Sequence, residues 1–364
     1  MASTVHFAPS KMKRLAAEDS LPAKFRRMLE QCDLAGKFND RRVAIKMHVG
    51  GHLGYTTIHP LFIRTLVTMV KDAGGWPFLT DGSFSVPDAV ARGYTQETLG
   101  APIYPVAGAY DKYFYPKEIN YRSLEKVEIA GNIADAEAMI VLSHGKGHGQ
   151  CGFGGAIKNL AMGAVTERTR GWIHGVQDAE FSWNAEACTH CHLCRENCPA
   201  GAIKFNDKDE MSIFSHHCRC CMHCVDSCPA QAITINVGSM LYFQEAMALT
   251  AKAVLDTFAP NRVLYVTAML NITPLCDCWG FTTPSLVPDV GIMASDDIVA
   301  IEQAAIDSID ASKYLEGSLP EQVKMGEGDG HLLFRIWGKD PYLQVETAAR
   351  LGLGSREYEL AEVE

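Results

Sequence analysis

Eight cysteines carry the densest chemistry in this chain. They read Cys188-Thr-His-Cys191-His-Leu-Cys194-Arg-Glu-Asn-Cys198-Pro199, and thirty residues later Cys218-Arg-Cys-Cys221-Met-His-Cys224-Val-Asp-Ser-Cys228-Pro229. Both copies have the spacing C-x2-C-x2-C-x3-C-P. The repeat runs on past the cysteines, with Pro-Ala-Gly-Ala-Ile-Lys-Phe at 199–205 against Pro-Ala-Gln-Ala-Ile-Thr-Ile at 229–235. A whole half-domain is therefore duplicated. Three thiolates two residues apart can wrap three irons of a cubane from one tight loop, and the fourth ligand comes from the other half, as in two-cluster bacterial ferredoxins. This assigns one [4Fe–4S] cluster to Cys188, Cys191, Cys194 and Cys228, and a second to Cys218, Cys221, Cys224 and Cys198. The proline after each distal ligand turns the chain, because it cannot continue a helix. Zinc sites also use paired C-x2-C, but zinc asks for neither a third cysteine at the same interval nor a C-P in both halves. Disulfides are not expected for thiols this dense in a chain without an export signal. Cys220 reads as a bystander beside Cys221.

A second group of reactive side chains lies outside the repeat. Ser143 is followed by His144-Gly-Lys146-Gly-His148-Gly-Gln-Cys151-Gly-Phe-Gly-Gly155, and then by Ala156-Ile-Lys158-Asn159. Glycines ahead of a helix leave backbone N–H groups that favour an anion. The order matches neither G-x4-G-K-[ST] nor a clean G-x-G-x-x-G, so the loop reads as an anion or metal site and not as a nucleotide fingerprint. Cys276-Asp277-Cys278 is the other unusual stretch. Histidine with thiolate is a soft mixed ligand set suited to zinc, iron, nickel or copper, and His148, Cys276 and Cys278 are the candidate ligands. His144, Lys146, His148, Lys158, Asn159 and Asp277 are the candidate catalytic groups. The lysines and Asn159 would orient an anionic group, and Asp277 would move a proton. Each has a plainer reading: C-x-C as two small buried thiols, His144 as a satisfied loop histidine, Lys158-Asn159 as a surface pair.

These loops need strands to present them. Residues 3–8, 43–47, 76–80, 138–143, 263–268 and 291–294 read as strands. Helical spacing covers 21–33, 58–73 and 298–309, and extends over 238–258 and 341–351. Ser239 is the expected cap of the fourth of these, and Asp296 or Ser295 of the third. Residues 100–130, rich in Tyr and Pro, carry no clear period. Strand and helix alternate, which predicts an α/β fold with a mostly parallel sheet flanked by helices. In such sheets ligands bind outside the carboxyl ends of the strands. His48, His52 and Asp81 fall at such ends, as do the loops at 144–151 and 276–279. The α/β pattern resumes after the cysteines, so the repeat is an insertion: 1–183 is the first part of the α/β domain, 184–237 the two-cluster ferredoxin module, and 238–364 the second part.

Composition bounds the setting. The chain has 364 residues, 47% of them apolar, and a net charge of −10. That charge disfavours nucleic acid as a partner. No apolar run approaches the roughly 18 residues of a membrane span. Thirteen cysteines without a signal peptide imply a reducing cytoplasm and an oxygen-poor cell.

At Gly154-Gly-Ala-Ile-Lys-Asn-Leu-Ala-Met-Gly163 the chain closely resembles the family catalogued as domain of unknown function 362. Ser143-His-Gly-Lys-Gly-His148, the inserted cysteine repeat, Cys276-Asp-Cys278, Val-Gly-Ile-Met-Ala-Ser-Asp-Asp-Ile-Val-Ala-Ile at 290–301 and Leu-Gly-Leu-Gly-Ser-Arg-Glu-Tyr-Glu-Leu at 351–360 are similar too. The resemblance implies an iron–sulfur protein with an α/β domain, and names no substrate. The expectation is an oxygen-sensitive oxidoreductase. Two clusters would pass low-potential electrons from a redox partner protein or reductase to a metal or anionic small-molecule substrate on the α/β domain. An electron carrier or adaptor without its own catalysis, and a metal or cluster assembly factor, are the alternatives. No C-x3-C-x2-C of a radical S-adenosylmethionine enzyme occurs, and no fingerprint supports a flavin or nicotinamide site.

Overall fold

A computed structural model describes residues 2–363 except 177–179, 199–200, 215–217, 219–222, 236–239, 322 and 324. The expected features at Pro199, Cys220, Cys221 and Ser239 lie outside the described residues.

Sixteen strands are described: β1 (Ser3–Pro9), β2 (Arg42–Met47), β3 (Trp76–Asp81), β4 (Ile103–Pro105), β5 (Phe114–Tyr121), β6 (Leu124–Ala130), β7 (Ala138–His144), β8 (Lys146–His148), β9 (Gly152–Gly154), β10 (Phe181–Trp183), β11 (Ile203–Phe205), β12 (Met211–Ile213), β13 (Ile233–Ile235), β14 (Val263–Met269), β15 (Gly291–Ser295) and β16 (Tyr358–Glu362). Eight form the main sheet, in the order β16-β1-β15-β14-β7-β2-β3-β4. All neighbours pair in parallel except at β15, which runs antiparallel to both β14 and β1. The fold is α/β with a mostly parallel sheet flanked by helices.

The central strands are mostly apolar because both faces are covered. In β7, Ala138, Ile140 and Leu142 join the apolar cluster that includes Ile63, Leu66 and Val70 of the helix Pro60–Asp72. Met139 and Val141 point the other way, into the cluster with Leu160 and with Phe243 and Met247 of the helix Met240–Leu255. Alternate side chains along one strand thus anchor the helical layers on opposite faces.

Several local expectations are corrected. The segment without a clear period holds the hairpin β5–β6. The glycine-rich loop is built as the tight hairpin β8–β9, with Lys146 opposite Gly154 and His148 opposite Gly152. Gly147 is required there, because an added Cβ would collide with the carbonyl of Pro274. Ahead of the cysteine repeat lies the helix Glu167–Gly175. The helix Ile298–Asp307 is capped by Asp297, whose carboxylate accepts from the N–H groups of Val299 and Ala300. Among the described residues, no helix is long and apolar enough to cross a membrane.

Between β9 and β14 the chain builds a smaller unit. β10 pairs with β13, and β11 with β12. Its buried side chains, among them Ile203, Ile233, Cys194, Cys218 and Cys224, form an apolar cluster of their own.

Candidate active site

β2 and β7 lie side by side, but the chain leaves β2 toward β3 on one side and β7 toward β14 on the other. Such a switch in strand order opens a crevice beyond the carboxyl ends. A cleft of about 430 Å³ lies there, lined by residues from β2, β3, the β8–β9 hairpin, the helices Ala156–Gly163 and Glu167–Gly175, and the 276–279 loop.

Its floor is an ionic network. The Lys46 ammonium, fully buried, donates to Asp81 Oδ1 at 3.0 Å and to Asn159 Oδ1 at 2.8 Å. Asp81 Oδ2 meets His48 Nδ1 at 2.9 Å and accepts from the Val49 N–H at 3.0 Å. Burial alone would raise the Asp81 carboxyl, but the Lys46 ammonium, His48 and the Val49 N–H hold it well below the usual carboxylate range. His48 Nδ1 is thereby fixed as a donor. Among the described residues, its Nε2 has no hydrogen-bond partner.

The helix Ala156–Gly163 brings Lys158 and Asn159 to the cleft, but in different roles. Lys158 reaches Cys278 Sγ at 3.8 Å. Burial, with the nearby cations Lys46 and Arg170, lowers its ammonium to about 8. Asn159 is committed to the scaffold, since its amide donates to Leu142 O at 3.0 Å and to Ser143 Oγ at 3.1 Å. The N-terminus of this helix does not await an external anion. Glu302, from the helix Ile298–Asp307, accepts from the Ala156 N–H at 2.7 Å, so an internal carboxyl group takes the place expected for a ligand.

His144, Lys146 and Asp277 form a buried triad behind the cleft wall. Lys146 donates to Asp277 Oδ1 at 2.7 Å, and His144 Nδ1 meets Oδ2 at 2.9 Å. His144 Nε2 lies 2.6 Å from the Leu270 carbonyl, which can only accept. Burial would raise the Asp277 carboxyl, yet the Lys146 ammonium and His144 hold it well below its ordinary value. None of the three lines the cleft. Through these bonds they pin the 276–279 loop to the end of β7. That pinning sets Cys276 and Cys278 beside His148, with one ligand atom from each within 4.8 Å of the others. The Cys/His group has the composition and spacing to hold a metal. The two sulfurs are joined as a disulfide, where two separate thiols were expected. Cys151 is a buried neighbour, its Sγ 3.2 Å from His148 Nδ1, and burial pushes its thiol up to about 12. His52 is exposed, 4.0 Å from Asp88, and does not reach the cleft.

In the smaller unit, Cys188, Cys191, Cys194 and Cys228 line one cavity. No disulfide joins them. The backbone repeats with the sequence. The Ala202 N–H donates to Cys198 Sγ at 3.2 Å, and its counterpart Ala232 donates to Cys228 Sγ at 3.3 Å. Cys198, Cys218 and Cys224 are described as well, whereas Cys221 lies outside the described residues. The unit touches the cleft directly: Gln150, which lines the cleft, donates its side-chain amide to the Cys218 carbonyl at 2.7 Å.

Sequence reasoning missed Lys46, Gln150, Arg170, His174 and Trp279 as cleft residues. Lys46 did leave a signal, as a charge inside the otherwise apolar run Val43–Met47. Arg170 left none, because a helix of mixed polarity does not show which of its cations turns inward.

Fold and cleft together define an α/β protein carrying a His/Cys group able to hold a metal. The chain belongs to the family described as Domain of unknown function (DUF362), whose model matches residues 43–307. No curated protein matches it. Among solved structures it is similar to the lactate racemase apoprotein from Thermoanaerobacterium thermosaccharolyticum, with 12% identity over 74% of this chain and 51% of that one and a TM-score of 0.33. It is also similar to a protein from Thermotoga maritima, with 11% identity over 66% and 60% of the two chains and a TM-score of 0.26. The chain thus spans 51% and 60% of the lengths of these structures. At such TM-scores the likeness carries no argument about chemistry.

Proposed function

We propose that the chain is an iron–sulfur oxidoreductase acting on a small anionic substrate. In this reading residues 184–237 are a two-cluster ferredoxin-like module set into the α/β domain of 1–183 and 238–364. Cys188, Cys191, Cys194 and Cys228 hold one [4Fe–4S] cluster, and Cys218, Cys221, Cys224 and Cys198 hold the other. The donors suit that group: four thiols line one cavity, and backbone N–H groups already point at the Cys198 and Cys228 sulfurs. Such N–H···S bonds tune a cluster, and when bound the two clusters supply one electron each. The observation that carries the reading is the bond from Gln150 to the Cys218 carbonyl, which joins the module to the cleft wall.

In the cleft, reduction of the Cys276–Cys278 bond takes two electrons and leaves two thiolates beside His148, a ligand set for a metal. Lys158 lies against Cys278 and offsets that negative charge. An external redox protein supplies the electrons, and the setting is an oxygen-poor cytoplasm. One observation favours a second reading: Cys278 is exposed, as a thiol handing a metal onward would be.

The test is iron, sulfide and metal analysis of anaerobically purified protein, with EPR of the reduced form. About eight irons and eight sulfides are expected, with one further metal that is lost in a Cys276→Ala/Cys278→Ala variant. Iron near zero would overturn the proposal. A labile, substoichiometric metal at Cys276 and Cys278 would move it to metal assembly.

A further inference from the structure

We propose that the cleft binds a small oxyanion between Arg170 and Lys158, and that His48 faces it as the proton-exchanging group. This deepens the reading above by naming the substrate's anchor and its proton partner, and it rests on that reading only for the electrons.

The charge census carries the argument. Lys46, Lys158 and Arg170 line the cleft, and among the described lining residues Asp81 is the one carboxylate. Asp81 is consumed by Lys46, His48 and the Val49 N–H. No carboxylate that lines the cleft is left for Arg170, and its electrostatic partner Glu167 lies outside the lining. Among the described residues, its Nε and Nη2 find no hydrogen-bond partner, although both atoms are shielded from solvent. Leaving such donors unmade is costly, and a guanidinium presents a planar fork that matches a carboxylate or phosphate. Gly82 makes room for that fork, since a Cβ at this position would lie 2.6 Å from Arg170 Nη2. Lys158 adds a second cation on the helix Ala156–Gly163.

His48 supplies the proton chemistry. Asp81 holds Nδ1, and Nε2 is a further buried polar atom of the same cleft with no hydrogen-bond partner among the described residues. A carboxylate that fixes one ring nitrogen leaves the other to give or take a proton. Asp81 is in this sense a positioning residue, and Lys46 keeps it ionised. Met162 and Trp279 line the cleft as well, so a ligand with a short apolar part beside its anionic group fits. The volume is that of a small-molecule site.

The experiment is isothermal titration calorimetry of the full-length, anaerobically purified protein with inorganic phosphate, malonate and neutral malonamide. At least one of the two anions should bind and malonamide should not; which anion binds separates a phosphate from a carboxylate substrate. Arg170→Gln should weaken binding at least about tenfold, with Arg170→Lys in between and circular dichroism unchanged. Repeating the titration in buffers of different ionisation enthalpy counts the protons exchanged on binding. That count should change in His48→Gln and in Asp81→Asn, which a purely structural role would not produce. Absence of binding by both anions, or equal affinity in Arg170→Gln, overturns the subsite. An unchanged proton count in His48→Gln overturns the role of His48. Anion binding that depends on Arg170 in protein lacking iron would uphold the subsite while the iron–sulfur reading failed; clusters without anion binding would do the reverse.

Discussion

Gln150 donates its side-chain amide to the carbonyl oxygen of Cys218 at 2.7 Å. One residue lines the cleft and the other belongs to the cysteine repeat, so the loop carrying His148 and a loop of the repeat share a buried bond. Gln150→Leu removes that bond, at a cost of about 0.5–1.5 kcal/mol. The expected outcome is faster loss of iron on exposure to air with far-ultraviolet circular dichroism unchanged. An iron-loss rate equal to that of the parent protein would show that the bond does not couple the two parts.

The His/Cys group makes a spectroscopic prediction. After reduction, titration with Co²⁺ should give thiolate-to-cobalt charge-transfer absorption, because soft thiolates with imidazole favour such ions. The band should vanish in Cys276→Ala/Cys278→Ala and weaken in His148→Ala. Without reduction it should be absent, since the sulfurs are then joined to each other.

Asp277 sits between Lys146 and His144, and all three side chains are buried. Asp277→Asn replaces one acceptor oxygen by a donor and leaves the buried Lys146 ammonium without its counter-charge, and should destabilise the protein by about 3–5 kcal/mol, read as a lowered urea midpoint. Adding Lys146→Met should recover part of the loss, because the unpaired charge is then gone.

Glu302 gives a pH dependence with a definite sign. Burial raises its carboxyl from an ordinary 4.5 to about 8, although the N–H groups of Ala156 and Ile157 pull the other way. The unfolded chain releases this proton near 4.5, while the folded chain keeps it until about 8. Between those values the folded state binds more protons, so its stability falls as pH rises through the window. Urea unfolding across the window should show that decline in the parent protein, and a flatter profile in Glu302→Gln.

Much of the sheet was legible because its strands are short, mostly apolar runs that end at glycines or charges. Val43–Met47 and Ala138–His144 could hardly be anything else. β5 and β16 were not legible, because they are half exposed and their patterns, Phe-Tyr-Pro-Lys-Glu-Ile-Asn-Tyr and Tyr-Glu-Leu-Ala-Glu, lack a buried face to reveal a period. The polar loops were placed correctly at the strand ends, but their division of labour was not. Whether a lysine faces a ligand or a buried aspartate depends on partners more than a hundred residues away, as with Lys146 and Asp277. The glycines of 145–155 suggested an anion nest, whereas they serve a close hairpin whose following helix is capped from within by Glu302.

The pairing of β7 with β14 sets the order in which the molecule can be made. β2, β3, β4 and β7 are complete by residue 144, yet the strand that covers the free edge of β7 begins only at Val263. During synthesis the cysteine repeat emerges inside that interval, while an apolar strand edge still stands open. Open edges recruit other chains, and contacts this distant in sequence form slowly. In the proposed reading, iron loading of the cysteine repeat falls in the period when the nascent sheet is most prone to misassociate, and slow loading would be expected to appear first as aggregated chain and only later as a folded protein lacking metal.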